Sequence, residues 1–216
     1  MNLLYLLILS IIPPRGVEPP PEAPPPVPPQ RPRVSPRLLI RYGAMLGALM
    51  ILIAWLWSGV LRGESLGDWF PGERWMLYLL AGAAVGSGFA ALAWRLLSYI
   101  PSLKRLELLL LHTIDMRALG YPQAALLGLV AGVPEEILFR GTLQPVLGWA
   151  LTSIIFGVLH AITLSYFVYA TVAGALLGGL AIWSGGLWAP IAAHTVIDVI
   201  MFALLIRKWR RAQSPG

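Results

Sequence analysis

The sequence predicts an all-α, polytopic membrane bundle with about six transmembrane helices, an interfacial helix and a disordered, proline-rich N-terminal arm. Of its 216 residues, 57% are hydrophobic and 12% are charged, against about 45–50% and roughly 25% in an average soluble domain. So few charges could not cover the surface of a soluble domain, and the high hydrophobicity excludes an intrinsically disordered chain. Because the chain has no cysteine, disulfides, thiolate metal sites and cysteine nucleophiles are excluded.

The first 36 residues offer no core. Residues 1–12 are apolar but shorter than the about 20 residues that cross a bilayer, so they fit either an interfacial or buried segment or an inefficient signal-like start. Residues 13–36 hold 12 of the 19 prolines, a composition that favours polyproline II over helix or sheet. We interpret this segment as a linker, with docking to an aromatic groove of a partner as the alternative.

The remaining chain alternates long apolar runs with short breaks. It divides into residues 37–120, with two transmembrane helices and an amphipathic connection, residues 121–206, which form a membrane core, and a basic tail at 207–216. The predicted spans lie near 38–61, 75–97, 122–141, 143–162, 164–183 and 187–206. Glycine pairs spaced four residues apart allow close helix approach, and they are Gly43/Gly47, Gly82/Gly86, Gly128/Gly132 and Gly174/Gly178.

The positions of the cations predict the topology. Twelve of the 16 Lys and Arg residues form three clusters, which are Arg31, Arg33, Arg37 and Arg41; Arg95, Lys104, Arg105 and Arg117; and Arg207, Lys208, Arg210 and Arg211. Cytoplasmic loops carry an excess of Lys and Arg, so an even number of spans should separate the clusters, and six spans satisfy this condition. We therefore expect a multi-pass protein of the plasma (inner) membrane with both termini cytoplasmic, and no nucleic-acid partner.

Residues 101–120 form a more mixed segment. Apolar residues recur in it at three- and four-residue spacing, at Leu103, Leu106, Leu110 and Ile114. This pattern is typical of an amphipathic helix at the cytoplasmic interface, although the helix could instead pack within the bundle. His112 is expected on its surface, and we assign it no chemistry.

Six ionisable side chains interrupt the apolar stretch 121–206, and they are Glu135, Glu136, Arg140, His160, His194 and Asp198. Each ionised group at mid-membrane costs roughly 2.5–3.5 kcal/mol, so such groups face a bundle interior or a wet cavity and are functional candidates. Residues four apart share a helix face, as Glu136 and Arg140 do, while Glu135 is rotated about 100° away. By the same spacing, Phe156 lies beside His160 on the next span, and His194 lies beside Asp198 on the last.

If the three polar faces meet, the resulting site suits hydrolysis. A carboxylate or imidazole can take a proton from water, and further donors can hold a developing oxyanion. The same groups could instead bind a divalent metal such as zinc, because two His and one carboxylate form a known zinc set. Structural interpretations also exist: Glu136 and Arg140 can fix helix packing without chemistry, and Phe156 can be a packing wall. Pro134 could kink its span and open space beside the carboxylates, or be a neutral kink.

Three classes of function fit the buried charges. The first is an intramembrane hydrolase. The second is a proton-coupled transporter, since buried carboxylates and imidazoles also form proton relays, but all six groups follow residue 120 and the two halves show no repeat. The third is a non-catalytic membrane scaffold that retains the polar pocket and works through its proline-rich arm.

Three segments resemble the motifs of one known family. EEILFR at 135–140, FGVLH at 156–160 and HTVID at 194–198 resemble, in order, the Glu-Glu-x-x-x-Arg, Phe-x-x-x-His and His-x-x-x-Asn/Asp motifs of the CPBP intramembrane proteases. That family includes the type II CAAX prenyl endopeptidases and the bacterial Abi and bacteriocin-processing proteins. The resemblance implies that residues 121–206 are the catalytic membrane core of an endopeptidase acting on a membrane-associated or lipidated peptide or protein.

Carried over residue by residue, the resemblance also implies roles. Glu135 and His160 would activate the hydrolytic water, and His194 and Asp198 would stabilise the oxyanion. Glu136 and Arg140 would hold the carboxylate in place, with Phe156 supporting.

The resemblance leaves the cofactor open. It is compatible with a metal-free, glutamate-centred mechanism and with a divalent metal at Glu135, His160, His194 and Asp198. Because the sequence has no His-Glu-x-x-His helix, a metal site would be unconventional.

Overall fold

The computed structural model describes residues 33–97 and 99–214, and within them the chain forms helices and no strand. The helices are α1 (Pro36–Ala54), α2 (Trp75–Leu97), α3 (Pro101–Thr113), α4 (Tyr121–Glu136), α5 (Trp149–Leu159), α6 (Leu164–Ser184) and α7 (Trp188–Gln213). Two helices continue in wider π-helical turns: α1 through Trp55–Leu61, and α4 through Ile137–Leu143 and then a short α-helical end, Gln144–Leu147. The interpretations of residues 1–12 and of 13–32 lie outside the described residues.

Four helices are long and apolar enough to cross a membrane by length and composition, and they are Pro36–Leu61, Trp75–Leu96, Leu164–Ser184 and Trp188–Gln213. Many large apolar side chains face outward, Leu164 and Leu61 being 78% and 74% exposed, whereas Glu136 is fully buried. Apolar surface outside and ionisable groups inside are what a lipid solvent requires. The predicted all-α membrane fold is confirmed.

The structure differs from the prediction at the fourth span, expected at 143–162. Helix α5 has only 11 residues, which corresponds to about 16 Å at 1.5 Å per residue, roughly half of a hydrocarbon core. Gly148, with φ of +78°, separates α5 from the preceding helix, and the Thr163 hydroxyl caps the start of α6 by accepting from the Tyr166 amide. The 160–163 connection between them is irregular, so His160 follows the end of a half-length helix.

Glycine pairs fix how the helices pack. A Cβ on Gly82 or Gly86 would lie 2.1 or 2.5 Å from the carbonyl oxygen of Ala189 or Ala193, so α2 lies directly against the backbone of α7. The pair Gly128/Gly132 also brings α4 close to α7, where a Cβ on either glycine would lie 2.7 Å from the nearest atom. In the same way Gly43/Gly47 brings α1 close to α4, and Gly174/Gly178 brings α6 close to the segment carrying Ser153 and Trp149. The expectation that these pairs allow close helix approach is confirmed.

These contacts also give the helix directions. Gly43 meets Val130 while Gly47 meets Pro134, so α1 and α4 are parallel. The same comparison makes α2 parallel to α7, α4 antiparallel to α7, and α5 antiparallel to α6. Arg140 and Gln144, in the continuation of α4, donate to the carbonyl oxygens of Gly174 and Gly178, so α4 and α6 are parallel as well. Helices α1, α4 and α6 therefore run one way and α2, α5 and α7 the other, so successive long helices alternate and the described basic clusters lie at one end of the bundle.

Helix α3 packs against this basic end. Its Leu103 and Glu107 are buried, and Ile114 just after it is 2% exposed in an apolar cluster with Leu39 and Ile206. Of the two placements left open by the sequence, contact with the bundle is the one observed for these residues. His112 is exposed, as expected, and its Nδ1 lies 2.6 Å from the Leu108 carbonyl oxygen.

Candidate active site

The six ionisable residues of the membrane core come together. Glu135 and Glu136 end the regular part of α4, and Arg140 lies in the π-helical turns that follow. His160 ends α5, and α7 supplies His194 and, one turn later, Asp198.

The α4 backbone places its charged residues locally. Helix α4 continues through Pro134, against which Gly47 of α1 packs, and the wider turns begin only at Ile137. Such π-helical turns are common at functional sites.

Glu136 and Arg140 form a buried ion pair. The Nη1 atom of Arg140 lies 2.8 Å from Oε1 of Glu136, and both side chains are fully buried. Arg140 also donates through Nη2 to the carbonyl oxygen of Gly174, at 3.0 Å, and its Cζ lies 4.7 Å from the ring centroid of Phe156. The guanidinium therefore ties α4 to α6 and to α5.

The same Glu136 oxygen also holds His194. Nδ1 of His194 lies 2.7 Å from Oε1 of Glu136, so one carboxylate oxygen accepts from both the guanidinium and the imidazole. This bond fixes the ring so that its Nε2 faces Glu135 and Asp198. Anchoring one imidazole nitrogen in this way leaves the other to do chemistry.

His160 is oriented by its own helix. Its Nδ1 lies 2.7 Å from the carbonyl oxygen of Phe156, and its ring stacks on the Phe156 ring with centroids 4.3 Å apart. Because a carbonyl oxygen only accepts, Nδ1 carries the hydrogen, and Nε2 is the free nitrogen of the neutral ring. Phe156 is therefore both the wall and the anchor of His160.

Glu135 faces both imidazoles. Its Oε2 lies 3.7 Å from Nε2 of His160 and 3.9 Å from Nε2 of His194. This buried oxygen has no hydrogen-bond partner among the described residues. Since hydrogen bonds span about 2.7–3.2 Å, these separations are too long for direct bonds.

Asp198 lies on the solvent-exposed side of the cluster formed by Glu135, His160 and His194. Its Oδ2 is 3.8 Å from Nε2 of His194, and its side chain is 29% exposed, against 0% for Glu136. The bond that orients His194 comes from Glu136, on the other ring nitrogen.

The described residues contain no group of three or more His, Asp or Glu side chains that could hold a metal ion. The anchored imidazoles would each offer Nε2 to a metal, and Glu135 and Asp198 would offer oxygens. Their present arrangement does not form a ligand set, so no chemical step is assigned to a metal.

Two contacts were missed by the sequence analysis. The carbonyl of Gly174 accepts from Arg140, and Glu136 binds His194 as well as Arg140. The Gly174/Gly178 pair was a signal for the first, because a glycine lets a neighbour reach the backbone closely. No spacing rule signals the second, because it joins residues 58 positions apart.

The comparisons with known proteins cover this part of the chain. Residues 117–200 match the family model Rce1-like, described as type II CAAX prenyl endopeptidase Rce1-like. An uncharacterized protein, YpbD, of Bacillus subtilis (strain 168) is 40% identical over 89 residues, which cover 40% of this chain and 47% of that protein. The match therefore spans about half the length of that curated relative. No solved structure matches.

The resemblance drawn from the motifs is confirmed over residues 117–200. The matching family consists of proteases, which supports a peptidase, and with the four long apolar helices it supports an integral membrane protein.

Proposed function

We propose that this chain is an intramembrane endopeptidase whose nucleophile is a water held between Glu135, His160 and His194. One observation carries the proposal: a buried carboxylate oxygen without a hydrogen-bond partner among the described residues lies 3.7 and 3.9 Å from the Nε2 atoms of two imidazoles. The three residues come from three different parts of the chain, so only the folded bundle brings these atoms together. A packing role would not need an unpartnered oxygen, which is costly when buried.

In this mechanism Glu135 is the general base. Its Oε2 takes one proton from the water as the water oxygen attacks the scissile carbonyl carbon, while Nε2 of His160 accepts a hydrogen bond from the other water hydrogen. When the carbon–nitrogen bond breaks, the proton on Glu135 passes to the leaving amine. The products are a carboxylic acid and an amine, and Glu135 returns to its starting state.

The oxyanion would be held on the α7 side. His194 donates through Nε2 only when both ring nitrogens carry hydrogen, and the Glu136 carboxylate 2.7 Å from Nδ1 balances that charge. Asp198 supports the oxyanion as the protonated acid, because an ionised carboxylate only accepts. Arg140 holds Glu136 in place and does not touch the substrate.

The substrate class follows from the setting of the site. Asp198 and His160, at 29% and 22% side-chain exposure, mark its accessible side, and Glu136 and Arg140 close the other. The site lies among helices that present apolar surfaces, so the substrate is a peptide or protein that is itself in the membrane or bears a lipid. The basic end of the bundle would face the cytoplasm, with both termini on that side of the plasma (inner) membrane.

The test is cleavage in reconstituted vesicles. The full chain is incubated with two substrates, a farnesylated peptide and an unlipidated single-span peptide, so that the type of substrate is read at the same time. Glu135→Gln keeps the shape of the side chain but removes the base, and we expect it to lower the rate by at least about 100-fold. Glu73→Gln, an exposed residue in the α1–α2 connection, is the matched control and should cleave like the wild type.

Equal cleavage by wild type and Glu135→Gln would reject the role of Glu135 and favour the scaffold. A parallel arm adds 1,10-phenanthroline to the wild type. Full activity in the presence of the chelator supports a water held by protein groups alone. If the chelator abolishes activity and added zinc restores it, Glu135, His160, His194 and Asp198 would instead be assigned to binding a metal.

A further inference from the structure

A second cavity, far from the carboxylates and imidazoles, lies at the basic end of the bundle. Its volume is about 550 Å³. It is lined mainly by Trp94 of α2, Lys104 and Glu107 of α3, and Arg207, Lys208 and Arg211 of α7. Four cations and one carboxylate therefore surround a single cavity built from three helices.

Only one of the four cations has a partner in the part of the chain that the structure describes. Lys208 pairs with Glu107, whose side chain is 6% exposed, so this pair is part of the packing between α3 and α7. Lys104, Arg207 and Arg211 are exposed, and their side chains make no hydrogen bond or ion pair with any described residue. Three unpaired cations around one space repel each other, and an anion in the cavity removes that repulsion.

The neighbouring Arg210 differs from these cations because its guanidinium packs on an aromatic ring. Its Cζ lies 5.1 Å from the ring centroid of Tyr121, and it does not line the cavity. The opposite end of the bundle differs as well, because Arg62 there pairs with Glu64 and acidic residues such as Asp68 lie nearby. The cavity is thus a place at which Lys104, Arg207 and Arg211, three cations without a charged partner among the described residues, lie around one space.

We propose that this cavity binds the phosphate headgroup of an anionic membrane lipid. Two Arg guanidinium groups match a phosphate in geometry, and Lys104 adds a point charge. The apolar members of the wall fit a lipid, because Trp94 and Leu204 are half-buried beside the cations. A headgroup in the cavity would leave its acyl chains beside these two side chains. Basic pockets between helices at a cytoplasmic surface are suited to such headgroups.

The test measures lipid retention by the full chain. The purified protein is exposed to equal amounts of phosphatidylglycerol and phosphatidylcholine, and bound lipid is counted by native mass spectrometry. We expect the wild type to retain phosphatidylglycerol at least about tenfold over phosphatidylcholine, and Lys104→Gln/Arg207→Gln/Arg211→Gln to lose this preference. The single substitution Lys104→Gln should lower it by roughly fivefold, since one cation near an anionic surface contributes about that factor.

The matched control removes three charges elsewhere at the same end of the bundle. Arg37→Gln/Arg41→Gln/Arg95→Gln changes the net charge equally but none of its residues lines the cavity. The proposal is supported if the control variant keeps the preference for phosphatidylglycerol and the cavity variant loses it. If both variants lose the preference equally, or if the wild type shows none, the proposal is overturned in favour of a general attraction between the basic end and anionic lipids. Both variants are first required to keep the wild-type melting temperature, and if the triple variant unfolds, Lys104→Gln decides.

Competition with inorganic phosphate tests whether the phosphate group that binds in the cavity belongs to a lipid or to a soluble ligand. Displacement of bound phosphatidylglycerol by millimolar phosphate supports recognition of the headgroup phosphate. Binding of phosphate without any retention of the lipid would instead assign the cavity to a soluble phosphorylated ligand and overturn the lipid. None of these outcomes depends on peptidase activity, so the result stands apart from the proposed function.

Discussion

Glu136 is the residue on which the site depends most. One of its oxygens accepts from Arg140 at 2.8 Å and from His194 at 2.7 Å, and the side chain is fully buried. A buried carboxylate is tolerated only while it is paired. The residue therefore connects stability to chemistry, because the bond that satisfies its charge also orients the imidazole that faces the proposed water.

Removing the guanidinium should destabilise the fold. Arg140→Met leaves the Glu136 carboxylate without its cation, which typically costs about 3–5 kcal/mol. Arg62→Met is the control, because Arg62 pairs with Glu64 at about one-third exposure and such pairs contribute at most about 1 kcal/mol. Unfolding in mixed micelles gives both free energies, and similar values for the two variants would contradict a structural role for the buried pair.

Asp198 is the residue at which a substitution should be mild. Asp198→Asn replaces an acid with an amide that donates without needing a proton, so the oxyanion keeps its donor. We expect cleavage efficiency within about tenfold of the wild type, a change of about 1.4 kcal/mol in the barrier. A loss as large as that of Glu135→Gln would favour the acceptor or metal-binding role, because Asn cannot supply a carboxylate.

At the residue scale, the four-residue spacing correctly predicted which side chains lie next to each other along one helix. The contacts of Glu136 with Arg140, of Phe156 with His160 and of His194 with Asp198 all follow from four-residue spacing. The bond from His194 to Glu136 was not predictable, because it depends on how α7 is rotated against α4. At that interface Gly128 and Gly132 of α4 lie against Thr195, the residue that follows His194.

At the scale of elements, glycines position the helices that carry the candidate site. Helix α7 carries His194 and Asp198, and its backbone at Ala189 and Ala193 is in direct contact with Gly82 and Gly86 of α2. A side chain at either glycine must push the helices apart. Because Ala193 directly precedes His194, that displacement reaches the site.

Gly86→Ala tests this coupling. Its Cβ would lie 2.5 Å from the carbonyl oxygen of Ala193, while a Cβ on Gly88, on the same helix, meets nothing within 4 Å. We expect Gly86→Ala to destabilise the protein by about 1–3 kcal/mol and to lower cleavage, and Gly88→Ala to be neutral or stabilising by about 0.5–1 kcal/mol. Melting temperature and cleavage rate are measured on both. Equal effects would mean that helix propensity, and not the contact with α7, determines the outcome.

Hydropathy predicted the long helices but not the short one. Four predicted spans coincide with long apolar helices, because each is a continuous run near the length of a bilayer. Residues 143–162 are equally apolar, yet α5 is only 11 residues long, since Gly148 separates it from the helix before it and the chain turns after Leu159. Hydropathy does not detect such a break, because the residues on both sides of it are apolar.

For the whole molecule, the helix directions and the positions of the cations agree with the proposed topology. Three contacts hold one end of the bundle together. The end of α7 is joined to α3 by the Lys208–Glu107 pair and to the start of α4 by the Arg210–Tyr121 contact, and the segment before α1 is joined to the end of α3 by the Val34–Ile114 bridge. The Trp69–Leu187 and Pro71–Trp188 hydrogen bonds close the other end. The two ends differ in charge as the positive-inside rule requires.

The absence of cysteine makes this topology directly testable. Single cysteines are placed at exposed positions at the two ends, Ala118→Cys and Ser214→Cys at the basic end and Gly72→Cys at the other. An impermeant maleimide added to intact cells should label only Gly72→Cys, and in inside-out vesicles only the other two. Labelling of Ala118→Cys and Ser214→Cys from opposite sides would require an odd number of crossings between them. That is incompatible with α4 and α6 running one way and α5 and α7 the other, so the result would overturn the helix packing as well as the orientation.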